Sequence, residues 1–262
     1  MTVELHHVIE GPEEDAPVLV LSSSLGTTHR MWDPQAPALR ERFRLVRYDH
    51  RGHGGSPVPP GPYSIAELGR DVLATLDRLG VERFSFCGLS LGGMVGMWLA
   101  SEVPERVERL VLCCTAAVLG PRELWDERAQ VARSEGMDAL VEGVVERWFT
   151  PAFRERRPEV VERAKRMLRE TPPEGYAGCC EAIREMDLRD RLGRIRAATL
   201  VISAADDPAT PPEYGESLRE AIPDARMVVI EDAAHLANIE QPEAFTEALL
   251  EHLSPVLERR GS

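Results

Sequence analysis

No stretch of the sequence approaches the roughly 20 consecutive apolar residues that a membrane-spanning helix requires. The amino terminus, MTVELHHVIEG, lacks the basic head and apolar run of a secretory signal, and both absences lead us to expect a cytoplasmic protein. Cysteine is scarce. The five present are odd in number, include the neighbours Cys113/Cys114 and Cys179/Cys180, and form no Cys-x-x-Cys pair. That pattern suggests neither a disulfide framework nor a zinc site. Cys87 and the Cys113/Cys114 pair fall in apolar runs, where buried, inert thiols are expected. Basic charge is in deficit, with 31 Lys and Arg against 44 Asp and Glu, and the net charge of -13 argues against nucleic acid or an anionic membrane as partner. There is no internal repeat and no low-complexity linker.

What is present is enough for a large core: 262 residues, 43% of them hydrophobic, fit one large α/β domain with an insertion better than two independent domains. VLVLS at 18–22 and the apolar run at 43–48 each read as a buried strand, with room between them for one short helix. Ser64-Ile65-Ala66-Glu67 has capping-box spacing, and Leu68, Val72, Leu76 and Leu79 recur at helical intervals until Gly80. A strand at 84–88, a helix from Ser90 to about Glu102 and a strand at 107–114 follow directly, which implies a parallel sheet. Strands at 198–203 and 226–230 and a helix at 242–253 complete the pattern.

Residues 120–195 break that rhythm with several amphipathic helices and no strand, so they read as an inserted helical cap on a core formed by 1–119 and 196–262. Thr171-Pro172-Pro173-Glu174 predicts the start of one of these helices, again with capping-box spacing. The insertion holds 15 basic and 16 acidic residues, so almost all the acidic excess lies outside it. An anionic ligand would meet less repulsion there.

Gly88-Leu89-Ser90-Leu91-Gly92 stands where a buried strand ends and a helix begins, the context in which Gly-x-Ser-x-Gly marks a nucleophile elbow. A serine on such a turn needs a strained backbone, and neighbours two residues away without side chains. Its hydroxyl is a weak nucleophile until a base takes the proton, and the base needs an acid to orient it. The pattern resembles the α/β hydrolases, a mostly parallel central sheet flanked by helices, whose triad runs in the order Ser, acid, His. Only His235 and His252 follow Ser90. His235 follows a strand through the short loop EDAA and is the expected base, whereas His252 lies within FTEALLEHL and reads as a helix-surface residue. For the acid, Asp206 and Asp207 compete; Asp207, four residues before Pro211, has the preferred spacing. The N–H of Leu91 should be one oxyanion donor. Aligning Trp32 with the Trp that often follows the first strand loop puts Ser23-Ser24 where many hydrolases carry His-Gly, and makes the Leu25 N–H the second donor. His50, Arg51 and His53, in DHRGHGGS, precede the serine and are expected to brace the loop or meet solvent.

Four segments narrow the resemblance to the 3-oxoadipate enol-lactonases of aromatic-compound catabolism, in the β-ketoadipate pathway. They are SSSLGTTHRMWDPQ at 22–35, DHRGHGGS at 49–56, ERWFTPAF at 146–153 and AAHLANIEQP at 233–242, and the likeness runs almost end to end. The resemblance implies opening of 3-oxoadipate enol-lactone to 3-oxoadipate through an acyl-enzyme on Ser90, with no metal or organic cofactor. A buried substrate carboxylate would need a cation. The insertion offers several arginines, among them Arg122, Arg133 and Arg147, and Trp148 is a candidate pocket wall. The rivals are another ester or carbon–carbon bond hydrolase of the same fold, and a binder that keeps the fold without catalysis. Some family members are fused to a decarboxylase, so the tail LERRGS leaves a junction open.

Overall fold

The computed structural model describes residues 1–12 and 16–258, with side chains as far as Ser254, so the junction considered for LERRGS falls outside the residues described in full. Among the described residues, seven strands form one sheet in the order β1-β3-β2-β4-β5-β6-β7. They are β1 (His7–Glu10), β2 (Val18–Ser22), β3 (Arg44–Tyr48), β4 (Phe84–Leu89), β5 (Val107–Cys113), β6 (Ala198–Ala204) and β7 (Ala225–Ile230). All neighbours pair in parallel except β1, which runs antiparallel to β3.

Burial explains why these runs are strands. β2 and β4 are buried at every position, as expected for central parallel strands covered on both faces. Edge strand β1 is one of the elements absent from the sequence reading: three of its four residues are only partly buried and Ile9 is exposed, so neither a continuous apolar run nor alternation marks them.

The helices of the first half are α1 (Ala36–Leu39), α2 (Ile65–Arg78) and α3 (Leu91–Glu102). Helix α2 starts where predicted, with the Ser64 side chain accepting from the Glu67 N–H at 3.3 Å. Helix α3 is apolar almost all round and buried over nearly its whole length, so it sits inside the molecule against the sheet rather than on its surface.

Between β5 and β6 come α4 (Arg122–Glu135), α5 (Asp138–Trp148), α6 (Pro151–Arg156), α7 (Pro158–Arg169) and α8 (Pro173–Glu185), then a 3-10 turn at Arg189–Arg194. The capping box expected at Thr171 does not form. Pro172 is the N-cap of α8, the Thr171 hydroxyl donates back to Met167 O at 3.1 Å, and Glu174 is drawn off to Arg133 and the Gly61 N–H. A charge-assisted partner outcompetes a local cap.

Helices α9 (Pro212–Ala221), α10 (Ala237–Glu240) and α11 (Pro242–Glu258) complete the chain. His252 on α11 is a correction to the sequence reading. Rather than facing solvent, it is buried against the sheet with Nε2 3.1 Å from Ala198 O, because α11 packs on β5 and β7. Cys87, Cys113 and Cys114 are buried free thiols, as expected, and Cys179 and Cys180 are buried and free as well.

Candidate active site

The sheet brings four loops together at the carboxyl ends of its parallel strands, where ligand sites of open α/β sheets form. The β4-to-α3 turn carries Ser90, the loop after β6 carries Asp207, the loop after β7 carries His235, and the turn after β2 carries Leu25.

Ser90 adopts φ 55 and ψ -114, a left-handed conformation that a residue with a side chain avoids, so the turn is held under strain. The surroundings enforce it. The Ser90 N–H donates to Cys113 O at 2.9 Å, and its carbonyl accepts from the Thr115 hydroxyl at 2.7 Å. A Cβ on Gly88 would lie 2.1 Å from Gly92 O, and one on Gly92 would lie 2.2 Å from Ser22 O, so both positions require glycine.

Asp207 is 3% exposed, and both oxygens of its carboxylate accept hydrogen bonds. Oδ1 accepts from the Ala209 and Thr210 N–H groups at 2.8 and 3.1 Å, and Oδ2 accepts from the Thr210 hydroxyl at 2.7 Å. His235 Nδ1 lies 2.8 Å from the same Oδ2. Burial alone would push this carboxyl up, but the imidazole and the Thr210 donors outweigh it and hold it below the usual carboxylate range. An ionised carboxylate can only accept, so Nδ1 carries the imidazole proton and Nε2 is left with a lone pair. Asp206 is exposed and uses its N–H on Ala233 O at 2.9 Å. Of the two competing carboxylates, only Asp207 meets the histidine.

Ser90 and His235 open onto one cavity of about 360 Å³, although no hydrogen bond joins Oγ to the ring in this state. Such contacts often tighten only when substrate is bound. Leu25 lines the same cavity, and among the described residues its N–H donates no hydrogen bond. Leu91 is the first residue of α3, so its N–H has no partner inside the helix and lies at the positive end of the helix dipole.

The opposite wall comes from the helices between β5 and β6. Trp125, Trp148 and Tyr176 supply apolar surface, and Arg128 and Arg147 supply charge. No Asp or Glu lines this cavity. Neither arginine forms an ion pair among the described residues; Arg128 stacks over Trp125 at 5.0 Å. The sequence reading found Arg147 but missed Arg128. Its signal was present: Arg128 follows Trp125 by three residues, so the two share a helix face. Arg122 and Arg133 do not reach the cavity. Arg122 pairs with Glu185, and Arg133 pairs with Glu174 at 2.8 Å and the partly buried Glu181 at 2.6 Å, away from the cavity.

His50 and His53 stay outside the cavity and are buried. His50 Nε2 lies 3.0 Å from Ser23 O, and His53 Nε2 accepts the Gly26 N–H at 3.0 Å, so both brace the turn that carries Leu25. Arg51 is buried on Asp71, with Nε and Nη2 at 2.6 and 2.8 Å from its two carboxylate oxygens.

A family model described as alpha/beta hydrolase fold matches residues 17–242. The chain belongs to the α/β hydrolases. Among curated members, the chain is 43% identical to 3-oxoadipate enol-lactonase 2 of Acinetobacter baylyi, over 90% of its own length and 88% of that protein. Among solved α/β hydrolases, the enol-lactonase of Burkholderia xenovorans LB400 is 47% identical, with a TM-score of 0.94 over 96% of this chain and 97% of that one. A thermophilic esterase from Thermogutta terrifontis, solved with malate bound, is 32% identical, with a TM-score of 0.91 over 97% and 94%. The likeness to enol-lactonases read from four sequence segments therefore extends over almost the whole chain.

Proposed function

We propose that this α/β hydrolase opens 3-oxoadipate enol-lactone, with Ser90 as nucleophile, His235 as base, Asp207 as the orienting acid, and the Leu25 and Leu91 N–H groups as oxyanion donors. The single observation that carries the substrate class is the charge of the cavity. On a chain of net charge -13, it is lined by two arginines that form no ion pair among the described residues, and no described carboxylate lines it. A pocket of that kind suits a small anion. Residues 120–195 act as the cap over a core of 1–119 and 196–262, and Trp148 is a wall of the pocket. The enzyme works in the cytoplasm on this small anionic lactone.

The reaction follows from the parts. His235 Nε2 takes the Ser90 proton as Oγ attacks the lactone carbonyl, and the oxyanion is held by the two amides. Collapse of the tetrahedral adduct breaks the ring C–O bond and expels an enolate, a better leaving group than an alkoxide, so His235 contributes less as general acid in this step. The imidazolium proton passes to the departed enolate, which becomes the ketone; the neutral imidazole then deprotonates water, whose attack breaks the ester bond to Ser90, and the proton returns to Ser90 Oγ. The free carboxylate pairs with Arg128 and Arg147, and the scheme calls on no metal or organic cofactor.

The test compares the enol-lactone with a panel of neutral aryl esters. The lactone should be the better substrate, and Ser90→Ala should lower kcat by at least about 10⁴-fold. Arg128→Gln and Arg147→Gln should each cost about 10- to 100-fold in kcat/KM on the lactone and little on neutral esters. Faster turnover of simple esters would sink the substrate assignment.

A further inference from the structure

A second and larger cavity, of about 710 Å³, lies between α7 and the loop after β3. On its wall, His6 Nδ1 is 2.9 Å from Asp49 Oδ2, and His29 Nδ1 is 2.9 Å from Asp49 Oδ1. One ligand atom from each of the three residues lies within 4.8 Å of the other two. We propose that His6, His29 and Asp49 bind one divalent transition-metal ion of the zinc type.

The donor set fits such an ion, since imidazole nitrogen and carboxylate oxygen are borderline-to-hard ligands with bonds of about 2.0–2.2 Å. Neighbouring donors around an ion with such bonds stand about 3 Å apart, close to the two N···O separations found here. His6 is the most exposed of the three, its side chain 44% exposed, which leaves it space to rotate toward His29 around an ion.

Asp49 is built to hold still. Its Oδ1 accepts the His29 N–H at 2.7 Å and its Oδ2 accepts the Gly55 N–H at 3.0 Å. Those backbone donors take one lone pair on each oxygen, and the remaining pair on each faces an imidazole. Backbone support of this kind orients a ligand without occupying its metal-binding lone pair. The cavity beside the cluster leaves room for water to complete the coordination.

The three ligands come from separate segments: the residue before β1, the 3-10 turn at His29–Trp32, and the residue after β3. One ion would therefore tie three loops together. The loop that begins at Asp49 also carries His50 and His53, which hold the Ser23–Gly26 turn. The ion is thus a structural clamp under the oxyanion turn rather than a participant in hydrolysis, and its binding should be read as stability.

The experiment titrates chelator-treated protein with ZnCl₂ while following thermal unfolding, and with CoCl₂ while following visible absorption. Wild-type protein should bind one ion per chain, and its Tm should rise by roughly 5–10 °C at a hundredfold excess over Kd. In the double variant His6→Asn/His29→Asn, each amide nitrogen keeps a donor to Asp49 while the imidazole is lost. It should fold with a metal-free Tm near wild type, yet show neither the cobalt spectrum nor the zinc-dependent rise. His7→Asn, whose ring meets Leu5 O instead, should keep both. Absence of cobalt binding in wild type, or binding that survives in the double variant, would overturn the proposal.

Discussion

Asp206 and Asp207 are adjacent, and the backbone sends their side chains into opposite surroundings. Asp207 is buried on Thr210 and His235 while Asp206 is exposed. If Asp207 fixes the tautomer of His235, Asp207→Asn should lower kcat by about 10³- to 10⁴-fold, because an amide can donate to Nδ1 and so favour the wrong tautomer. Asp206→Asn should stay within about twofold, since an exposed side chain with no partner contributes little. Steady-state kinetics on the two variants decide it, and the reverse order of effects would move the acid to Asp206. At this scale, legibility followed locality. Ser90, Gly88 and Gly92 were readable because an elbow places its demands within five consecutive residues. His235 was readable because few histidines follow the serine. Arg128 was readable only in part: its spacing from Trp125 puts the two on one helix face, but whether that face meets solvent or a cavity depends on which helices close over it.

At the scale of elements, the loop that presents His235 is clasped to the end of α5. The Leu236 N–H donates to Trp148 O at 3.0 Å and the His235 N–H to Arg147 O at 3.4 Å. Glu240, 4% exposed, closes the same clasp from below. It accepts the Ala234 N–H at 3.0 Å, the Thr150 N–H at 3.2 Å and the Thr150 hydroxyl. AAHLANIEQP and ERWFTPAF thus meet in space, which gives a physical reason for both to mark one family. The sequence reading quoted both segments but saw no link, because their contact spans about ninety residues and leaves no periodic trace. Removing the carboxylate strands three donors, that of Ala234 fully buried and those of Thr150 partly buried, so Glu240→Ala should destabilise the protein by about 2–4 kcal/mol. A displaced imidazole should also cost about 10- to 100-fold in kcat, with KM less affected. Glu240→Gln, which keeps one acceptor oxygen, should recover part of both. Guanidinium unfolding and steady-state rates are the measurements; a Glu240→Ala enzyme with wild-type kcat would show that the clasp does not position the base. Strand β1 belongs to the same scale: a half-exposed, antiparallel edge strand has no strong pattern of its own, and pairing with β3 defines it.

Across the whole molecule, buried histidines link stability to pH. Burial, with repulsion from His53, lowers His50 to about 3; burial lowers His53 to about 4; burial, with the charges of Arg109 and Arg226, lowers His252 to about 4. Unfolded, each would titrate near its ordinary value of about 6.5. Between those values the unfolded chain binds a proton that the folded chain refuses, so stability rises with pH. Their contributions are complete above about pH 6.5 and are lost progressively toward pH 4. Each group adds a slope of up to about 1.4 kcal/mol per pH unit, so the three together make the fold strongly acid-sensitive before most carboxylates protonate. Asp207, held low, acts in the same sense at more acid pH. Guanidinium midpoints measured between about pH 7 and pH 5 should fall steadily, and more steeply below 6.5. His252→Gln keeps an N–H donor for Ala198 O but cannot ionise, so its slope should be shallower by about one proton's worth, near 1.4 kcal/mol per pH unit. Parallel slopes for the variant and wild type would mean that His252 is protonated in the folded state, and that its burial against β6 is looser than its hydrogen bond implies.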